Sequence, residues 1–298
     1  MAITTASISD LREITGAGLI DCKKALQETE GDVQKAVELL RQKGIASASK
    51  KAGKIAAEGS VKAKVSNNGA KGVLVEVNCQ TDFVAKNEKF QQLLDEIIDL
   101  ALNTEIDDIT KLKEQKISSG ETIQDLIAIR TSEIGEKIDL RRVKLIKAAE
   151  GEFISEYTHP VGSKISVLVK IKGENEQVAK DIAMHVAATI PAPEYLDRNE
   201  IPEEVIENER RIELGKEDLA NKPKEIAEKI VNGRVEKALM EKVLTEQSYI
   251  KNPSQKIKEY TKTENIEIIE FCRFNLGEGI EKKEENFAEE VAAAQGKK

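Results

Sequence analysis

Part of this sequence occurs twice, and that repetition restricts the fold more than any other feature of the chain. Three short blocks return in the same order: 56–59 at 148–151, 73–77 at 167–171, and 84–86 at 178–180. The second and third blocks have the same spacing in both copies. Matched blocks at a constant spacing indicate two copies of one supersecondary unit, so the fold is expected to build the same unit twice.

The repeated unit has the pattern of a β-hairpin followed by a helix. In the first copy, residues 60–65 and 72–77 are strand-like, and Asn67-Asn68-Gly69 between them supplies turn residues that tolerate positive φ. A helix is expected from 87 to 102, because its apolar residues recur at helical spacing. In the second copy, strand-like segments flank Pro160-Val161-Gly162. The unit therefore predicts an α+β fold.

The wider pattern divides the chain into four regions and one insertion. They are residues 1–53, a three-helix domain with a basic linker; 54–147, the first copy; 148–282, the second copy; 283–298, a C-terminal module; and an inserted helical hairpin at about 200–243. Within the C-terminal module, Phe287 to Ala294 predicts a short amphipathic helix. Such a terminal helix buries little surface by itself, so it packs on this chain or docks on a partner.

The N-terminal region fits three short helices. In the third, apolar residues between Val33 and Leu40 recur at helical spacing, and Lys43-Gly44 predicts the end of that helix. Small and basic residues from Ile45 to Lys54 then indicate a linker. The helix spacing resembles that of the ubiquitin-associated (UBA-like) fold.

The insertion runs from Pro202 to Val243. Val205, Ile212 and Leu219 are spaced by sevens, which is typical of a narrow coiled-coil seam. The facing stripe would consist of Ile226, Ile230, Val235 and Leu239. The pattern predicts a protruding antiparallel coiled coil, and two ordinary surface helices fit it about as well.

The segment from Asn78 to Lys86 connects a predicted strand to a predicted helix. Such a turn places backbone N–H groups and short polar side chains at the edge of a sheet. Either Thr81 or Asp82 is a candidate N-cap for the helix. Phe83 follows in the first helical turn, and capping chemistry alone favours an ordinary buried role for it.

The repeat tests that buried role. Thr81, Asp82 and Phe83 align, in order, with Asn175, Glu176 and Gln177. A core residue of the repeated unit would be apolar in both copies, yet position 177 is Gln. The difference raises a docking role for Phe83 to equal standing with a core role.

Charge and hydropathy restrict the class of partner. The chain has 46 Lys and Arg residues against 54 Asp and Glu residues, a net charge of −8. This balance disfavours a large nucleic-acid footprint, which depends on clustered basic residues. No apolar run is long enough to span a bilayer, and the N-terminus lacks a signal-peptide pattern. A cytoplasmic protein without a membrane partner is expected.

The reactive residue types give no catalytic constellation. The cysteines, Cys22, Cys79 and Cys272, are few, odd in number and far apart, which argues against a disulfide framework or a zinc site. No phosphate loop, nucleophile elbow or paired catalytic acids are present. The expectation is therefore no enzyme, no cofactor and no metal. An enzyme that uses Cys79 beside Asp82 is a disfavoured alternative, and it predicts sensitivity to thiol reagents.

Three stretches resemble a known family. Residues Asn78-Cys79-Gln80-Thr81-Asp82-Phe83-Val84-Ala85-Lys86 resemble the signature of bacterial-type elongation factor Ts. The stretch from Thr15 to Leu26 resembles that family's N-terminal signature, and Phe287 to Ala293 extends the resemblance to the C-terminus. The resemblance covers essentially the whole chain. Members of this family are nucleotide exchange factors for the GTPase elongation factor Tu.

The resemblance also assigns roles to residues. It implies partner binding and Mg²⁺ dislocation from elongation factor Tu by Thr81, Asp82, Phe83 and Val84, and secondary partner contacts by Leu19, Ile20 and His159. Insertion of Phe83 between helices of the GTPase would displace Mg²⁺ and phosphate-loop contacts, release GDP and allow GTP loading. The inserted coiled coil would make secondary contacts, and the C-terminal helix would dock on the GTPase.

Two questions stay open at this stage. The sequence leaves undecided whether the chain is a monomer or a homodimer formed through the second copy. An alternative function is a helical adaptor that binds a partner protein through the three-helix module. The adaptor would work through residues 1 to 50 alone, whereas an exchange factor would need the turn at Asp82 and Phe83.

Overall fold

The computed structural model describes residues 4–15, 17, 19–51, 53–173, 175–219 and 222–280, without the side chains of 13 and 43–50. The described chain is a mixture of helices and small antiparallel sheets, as expected for an α+β protein. Within these residues, no helix is long and apolar enough to cross a membrane. The predicted C-terminal helix lies outside the described residues.

The N-terminal region consists of α1 (Thr5–Thr15), α2 (Leu19–Glu28) and α3 (Val33–Lys51). Their shared core is apolar and includes Leu11, Cys22 and Leu26. The predicted end of the third helix at Lys43-Gly44 is wrong, and so is the linker from Ile45, because α3 continues to Lys51.

Tertiary packing explains this longer helix. One interior glycine costs a helix only about 1 kcal/mol, and α3 packs against α7 (Ile123–Ile134) of the following region. Arg41 pairs with Asp125, and the Lys51 ammonium donates to the Thr131 carbonyl at 3.4 Å. Contacts at two points along α3 outweigh the weak local stop signal.

The first sheet has the order β1-β2-β3, with β1 (Glu58–Val65), β2 (Lys71–Cys79) and β3 (Ile138–Lys147) all antiparallel. Between β2 and β3 the chain forms α4 (Asp82–Ala85), α5 (Glu88–Thr104), α6 (Ile109–Glu114) and then α7. The α5 stripe from Phe90 to Ala101 is buried against the sheet, together with apolar residues of α7.

The second sheet has the order β4-β5-β8 and is also antiparallel. Its elements, with the segments inserted among them, are β4 (Glu152–Thr158), β5 (Ile165–Lys172), α8 (Glu176–Ala188), α9 (Glu203–Leu214), α10 (Lys224–Met240), β6 (Ser248–Tyr249), β7 (Asn252–Lys256), α11 (Ile257–Thr263) and β8 (Glu267–Asn275). Helix α8 packs on β4 and β5. The β6–β7 hairpin and α11 were not anticipated from the sequence.

Two structural details support the duplication. The central strands are β2 and β5, the strands whose sequences repeat. Each has a register shift, at Glu76/Val77 in β2 and at Lys170/Ile171 in β5. These pairs occupy equivalent positions in the repeat, so the two sheets share an irregularity as well as a strand order.

The two sheets pack face to face. Their common core contains Leu74 and Ile146 from the first sheet and Ile154, Leu168 and Phe274 from the second. At Gly72 in β2, an added Cβ would lie 2.8 Å from the Ile154 side chain. Close packing of the sheets therefore requires glycine at that position. The helices cover the outer faces, so the chain forms helix, sheet, sheet and helix layers.

The insertion forms a helical hairpin from α9 and α10, which contact each other. The predicted coiled-coil seam is wrong at two positions, since Ile212 and Ile226 are exposed. Leu219 is buried, but it lies in a 3₁₀ turn between the helices. Val231, Val235 and Leu239 form the hairpin core with Leu219. Burial is thus concentrated in the part of α10 from Val231 to its C-terminal end, and a heptad seam along both helices is not formed.

Candidate partner-docking site

The turn singled out by the sequence is a separate helix of one turn. Thr81 has extended backbone and caps α4, because its Oγ1 accepts the Val84 N–H at 3.4 Å. The helix ends at Ala85, and Asn87 caps α5 through its Oδ1, which accepts the Lys89 N–H at 2.9 Å. The prediction of one helix starting at Asn87 holds for α5, whereas Phe83 lies in the preceding turn.

The repeat shows what is particular to this turn. Asn175, which aligns with Thr81, likewise caps a helix start, since it accepts the Val178 N–H at 3.3 Å. In the second copy the helix continues without a break to Ala188. In the first copy it stops after four residues and a new helix begins at Glu88. The interruption leaves α4 as a distinct corner at the end of β2.

Phe83 is displayed to solvent on this corner. Its side chain is 81% exposed, the largest exposed aromatic surface on the described part of the chain. The next two residues, Val84 and Ala85, are buried in the core formed with α5. Of the two roles left open for Phe83, the buried role is therefore excluded. Val84, predicted as a partner contact, packs in this core under the turn, and its role toward a partner stays a prediction.

Asp82 forms an ion pair with Lys86 one helical turn later, with 2.8 Å between Oδ2 and Nζ. The hydrogen bond from this ammonium group lowers the pKa of the Asp82 carboxyl below its ordinary value. Asp82 is therefore a carboxylate at neutral pH, partly exposed and beside an exposed aromatic ring. The Asp82–Lys86 pair lies within one exposed turn, so a cation on a docking protein can take the place of Lys86.

A residue that the sequence did not single out holds the start of α4. Glu136, in the loop between α7 and β3, accepts the Thr81 N–H at 3.0 Å and the Thr81 hydroxyl at 2.9 Å. At the other end, the Gln91 amide donates to the Ala85 carbonyl at 2.6 Å. Glu136 lies 55 positions from Thr81, and no local pattern marks such a pair.

The turn that contains His159 lies at the same end of the first sheet. The Val61 N–H donates to the Ser163 carbonyl at 2.8 Å, and Lys164 pairs with Glu58 at 3.4 Å. Glu58 lies opposite Cys79 in the β1–β2 register, immediately before the α4 corner. The structure therefore places the two turns beside each other.

His159 itself is only partly exposed. Its Nδ1 accepts the Val161 N–H at 3.3 Å, and its ring meets the Tyr157 ring edge-on at 6.5 Å. The most prominent apolar side chain of the turn is Val161, which is 74% exposed. Sequence reasoning noted Val161 only as part of a turn, because exposure at a hairpin tip leaves no periodic signal.

The N-terminal candidates are also exposed. Leu19 and Ile20, at the start of α2, are 55% and 70% exposed, and Ile14 near the end of α1 is 63% exposed. All three are large apolar side chains that the core of the three-helix region leaves uncovered. The preceding glycines, Gly16 and Gly18, lie outside the described residues.

Cys79 does not have the environment of a nucleophile. It is completely buried, and burial, reinforced by the Glu136 and Glu58 carboxylates, raises the pKa of its thiol to about 12. A thiol with so little thiolate at neutral pH is a poor nucleophile. The described residues also contain no group of three or more His, Cys, Asp or Glu side chains suited to a metal ion.

An exposed aromatic ring on a fixed turn, beside a carboxylate, is typical of a surface that binds another protein. The family model for elongation factor Ts matches residues 80–278. Elongation factor Ts of Idiomarina loihiensis is 44% identical over 293 residues, which cover 98% of this chain and 97% of the relative. That of Hydrogenovibrio crunogenus is 42% identical over 294 residues, covering 99% and 98%.

The chain belongs to the elongation factor Ts family. It is thus an elongation factor of protein biosynthesis, and membership implies the role of nucleotide exchange factor for elongation factor Tu in translation. The matched region begins at Gln80, just ahead of the α4 corner. Both relatives match over nearly their whole length, so the two copies and the inserted hairpin all lie within the shared sequence.

Proposed function

We propose that this protein binds elongation factor Tu carrying GDP and accelerates GDP release through the α4 corner. The observation that carries the proposal is the 81% exposure of Phe83 on a corner held at both ends. Exposure of a large aromatic side chain is unfavourable in water. An aromatic anchor that is buried on binding contributes about 2 kcal/mol or more at an interface.

The mechanism needs no covalent step by this chain. Phe83 enters between helices of the GTPase, and the Asp82 carboxylate exchanges Lys86 for a helix N-terminus or a cation of the partner. The rearrangement displaces Mg²⁺ and the phosphate-loop contacts that hold GDP. GDP then leaves and GTP loads. Because binding is linked, GDP weakens the association of this protein by the same factor by which the protein weakens GDP binding.

The other candidates fit secondary roles in the same complex. Val84 is buried, so its role is to fix the corner from below. The His159 turn adds Val161 beside the corner, and Leu19 and Ile20 offer a second contact from the N-terminal region. The proposed partner is a protein and not a nucleic acid, in line with the net charge of −8. A homodimer through the second copy stays a prediction.

The test is release of a fluorescent GDP analogue from elongation factor Tu, chased with unlabelled GDP, as a function of the concentration of this protein. We expect acceleration by the native chain, and at least about a thirtyfold loss of the initial slope for Asp82→Ala/Phe83→Ala, which corresponds to about 2 kcal/mol. Since Phe83 is exposed, this variant should keep the native melting temperature.

The matched control is Ile250→Ala, which also removes an exposed apolar side chain but lies on the β6–β7 turn. This variant should accelerate GDP release from elongation factor Tu as much as the native chain does. Equal acceleration by the native chain and by the Asp82→Ala/Phe83→Ala variant would refute the site. No acceleration by the native chain would refute the function.

The adaptor function is the competing proposal, and the exposed apolar side chains of Ile14, Leu19 and Ile20 favour it. An adaptor working through this patch would lose its partner on Leu19→Ala/Ile20→Ala and keep it on Asp82→Ala/Phe83→Ala. An exchange factor is expected to show the reverse order of effects in the GDP-release assay.

A further inference from the structure

The α4 corner is fixed by side chains that do not belong to it. At its start, the Glu136 carboxylate receives both the backbone N–H and the hydroxyl of Thr81, at 3.0 and 2.9 Å. Its end is held by Gln91, whose amide donates to the Ala85 carbonyl at 2.6 Å and to the Ser60 hydroxyl at 3.2 Å. Phe83 lies between the two held points.

Of the two, Glu136 makes the stronger attachment. Hydrogen bonds to a charged group contribute about twice as much as those between neutral groups. The Thr81 hydroxyl, while donating to Glu136, still accepts the Val84 N–H and thereby caps α4. The carboxylate thus orients the hydroxyl so that its lone pair is available to the helix. The backbone on both sides of Asp82 and Phe83 depends on this arrangement.

We propose that Glu136 is a positioning residue for Phe83 and sets how tightly the protein engages its GTPase partner. This inference rests on the proposed exchange function. Glu136 keeps the corner in the docking geometry before the partner arrives, so the cost of ordering it is not taken from the binding energy. Glu136 acts through Thr81 and need not touch the partner.

The inference predicts a specific kinetic signature. If a fraction f of the free protein has the competent corner, the apparent dissociation constant rises by 1/f. Once the partner is bound the corner is in place, so the rate of GDP release at saturation is unchanged. For Glu136→Ala we expect the half-saturating concentration to rise about tenfold, in keeping with the loss of one charged hydrogen-bonding group. The saturating rate should stay within about twofold of native.

Variants at Thr81 provide the internal check. Thr81→Ser keeps the hydroxyl, so it should recover most of the affinity that Thr81→Val loses. Thr81→Val keeps the shape but removes the hydroxyl that joins Glu136 to the helix cap, so it should resemble Glu136→Ala. Because the two residues act as one unit, the double variant should be affected less than the product of the two single effects.

The matched control is Glu246→Ala. Glu246 is also a carboxylate with two ion-pair partners, Lys256 and Lys258, but it lies between α10 and β6 in the second copy. Glu246→Ala should therefore accelerate GDP release to the same extent as the native protein. Amide hydrogen exchange supplies a readout independent of the partner: Glu136→Ala should speed exchange in residues 81–87 and leave β2 and α5 protected.

The outcomes separate the two ideas. Suppose that the native protein accelerates GDP release and that Glu136→Ala reaches half-maximal acceleration at the same concentration as the native protein. The positioning role is then wrong and the exchange function stands. The same conclusion follows if Glu136→Ala lowers only the melting temperature, or lowers the saturating rate while half-saturation stays native. If the native protein does not accelerate release, the exchange function fails and the positioning role fails with it, even if amide exchange still reveals the attachment at Thr81.

Discussion

A buried carboxylate joins the two halves of the protein at the position where β2 shifts register. The Glu76 side chain is fully buried. Its Oε1 lies 3.0 Å from Arg141 and accepts the Gly277 N–H at 2.9 Å, and its Oε2 lies 2.5 Å from Arg142. Gly277 follows β8, so a first-sheet residue holds the chain that leaves the second sheet.

We predict that Glu76→Gln lowers the free energy of unfolding by about 3 kcal/mol. Removing one partner of a buried ion pair costs about 3–5 kcal/mol because the other charge stays buried. Arg141 and Arg142 are about a quarter exposed, and Arg142 also donates to the Asn275 carbonyl at 2.9 Å, which places the value at the lower end. Near 300 residues, about 2 °C per kcal/mol gives a fall of about 6 °C in Tm.

The assay is urea unfolding followed by circular dichroism, with calorimetry to check for separate transitions. Glu236→Gln is the matched control, because it breaks an exposed pair with Arg198 and should change stability by less than about 1 kcal/mol. If Glu76→Gln is no more destabilising than this control, the buried network does not hold the halves together and the reasoning from burial is wrong.

Two further predictions concern titratable groups. His185 is buried, its Nδ1 accepts a backbone N–H, and its Nε2 lies 3.1 Å from Gln247, so it is neutral and burial lowers its pKa below the ordinary value. The unfolded chain therefore binds more protons than the folded chain as pH falls below about 6.5. The free energy of unfolding should drop between pH 7 and pH 5.5, as measured by urea titrations at the two pH values. The drop should be smaller for His185→Gln. Burial raises the pKa of Cys79 to about 12, so iodoacetamide at pH 8 should leave Cys79 unlabelled in the folded protein and label it in urea. Peptide mass spectrometry reads the labelling. Rapid labelling of the folded protein would contradict the buried environment of this thiol.

Much of the fold was predictable because its signals are local and periodic. The strand-like residues of β1 and β2 and the helical stripe of α5 are signals of this kind, and the structure forms all three elements. The pattern did not show that β2 is buried on both faces, because the second sheet covers the face that α5 leaves open. Where a local signal was weak, packing decided the outcome: α3 passes through Gly44 because it lies along α7.

The candidate site was predictable only in part. The sequence alone identified the turn at Asp82 and Phe83 and showed that the second copy has no counterpart to the aromatic residue. It favoured neither a buried nor a docking role, since a single Phe in a helical turn has no periodicity to indicate its face. The structure decides between the two roles, because Phe83 is exposed while Val84 and Ala85 after it are buried.

By itself, then, the sequence determined the repeated hairpin-and-helix unit, the α+β class, and the turn at Asp82 and Phe83 as the candidate site. Those features follow from residue spacing and turn chemistry within short segments. Tertiary structure alone decided that Phe83 faces solvent, that Glu136 holds Thr81, and that Glu76 binds the chain after β8. Each of these involves groups brought together by the stacking of two sheets and their helices, and side chains 55 to 201 positions apart leave no mark on one another's local pattern.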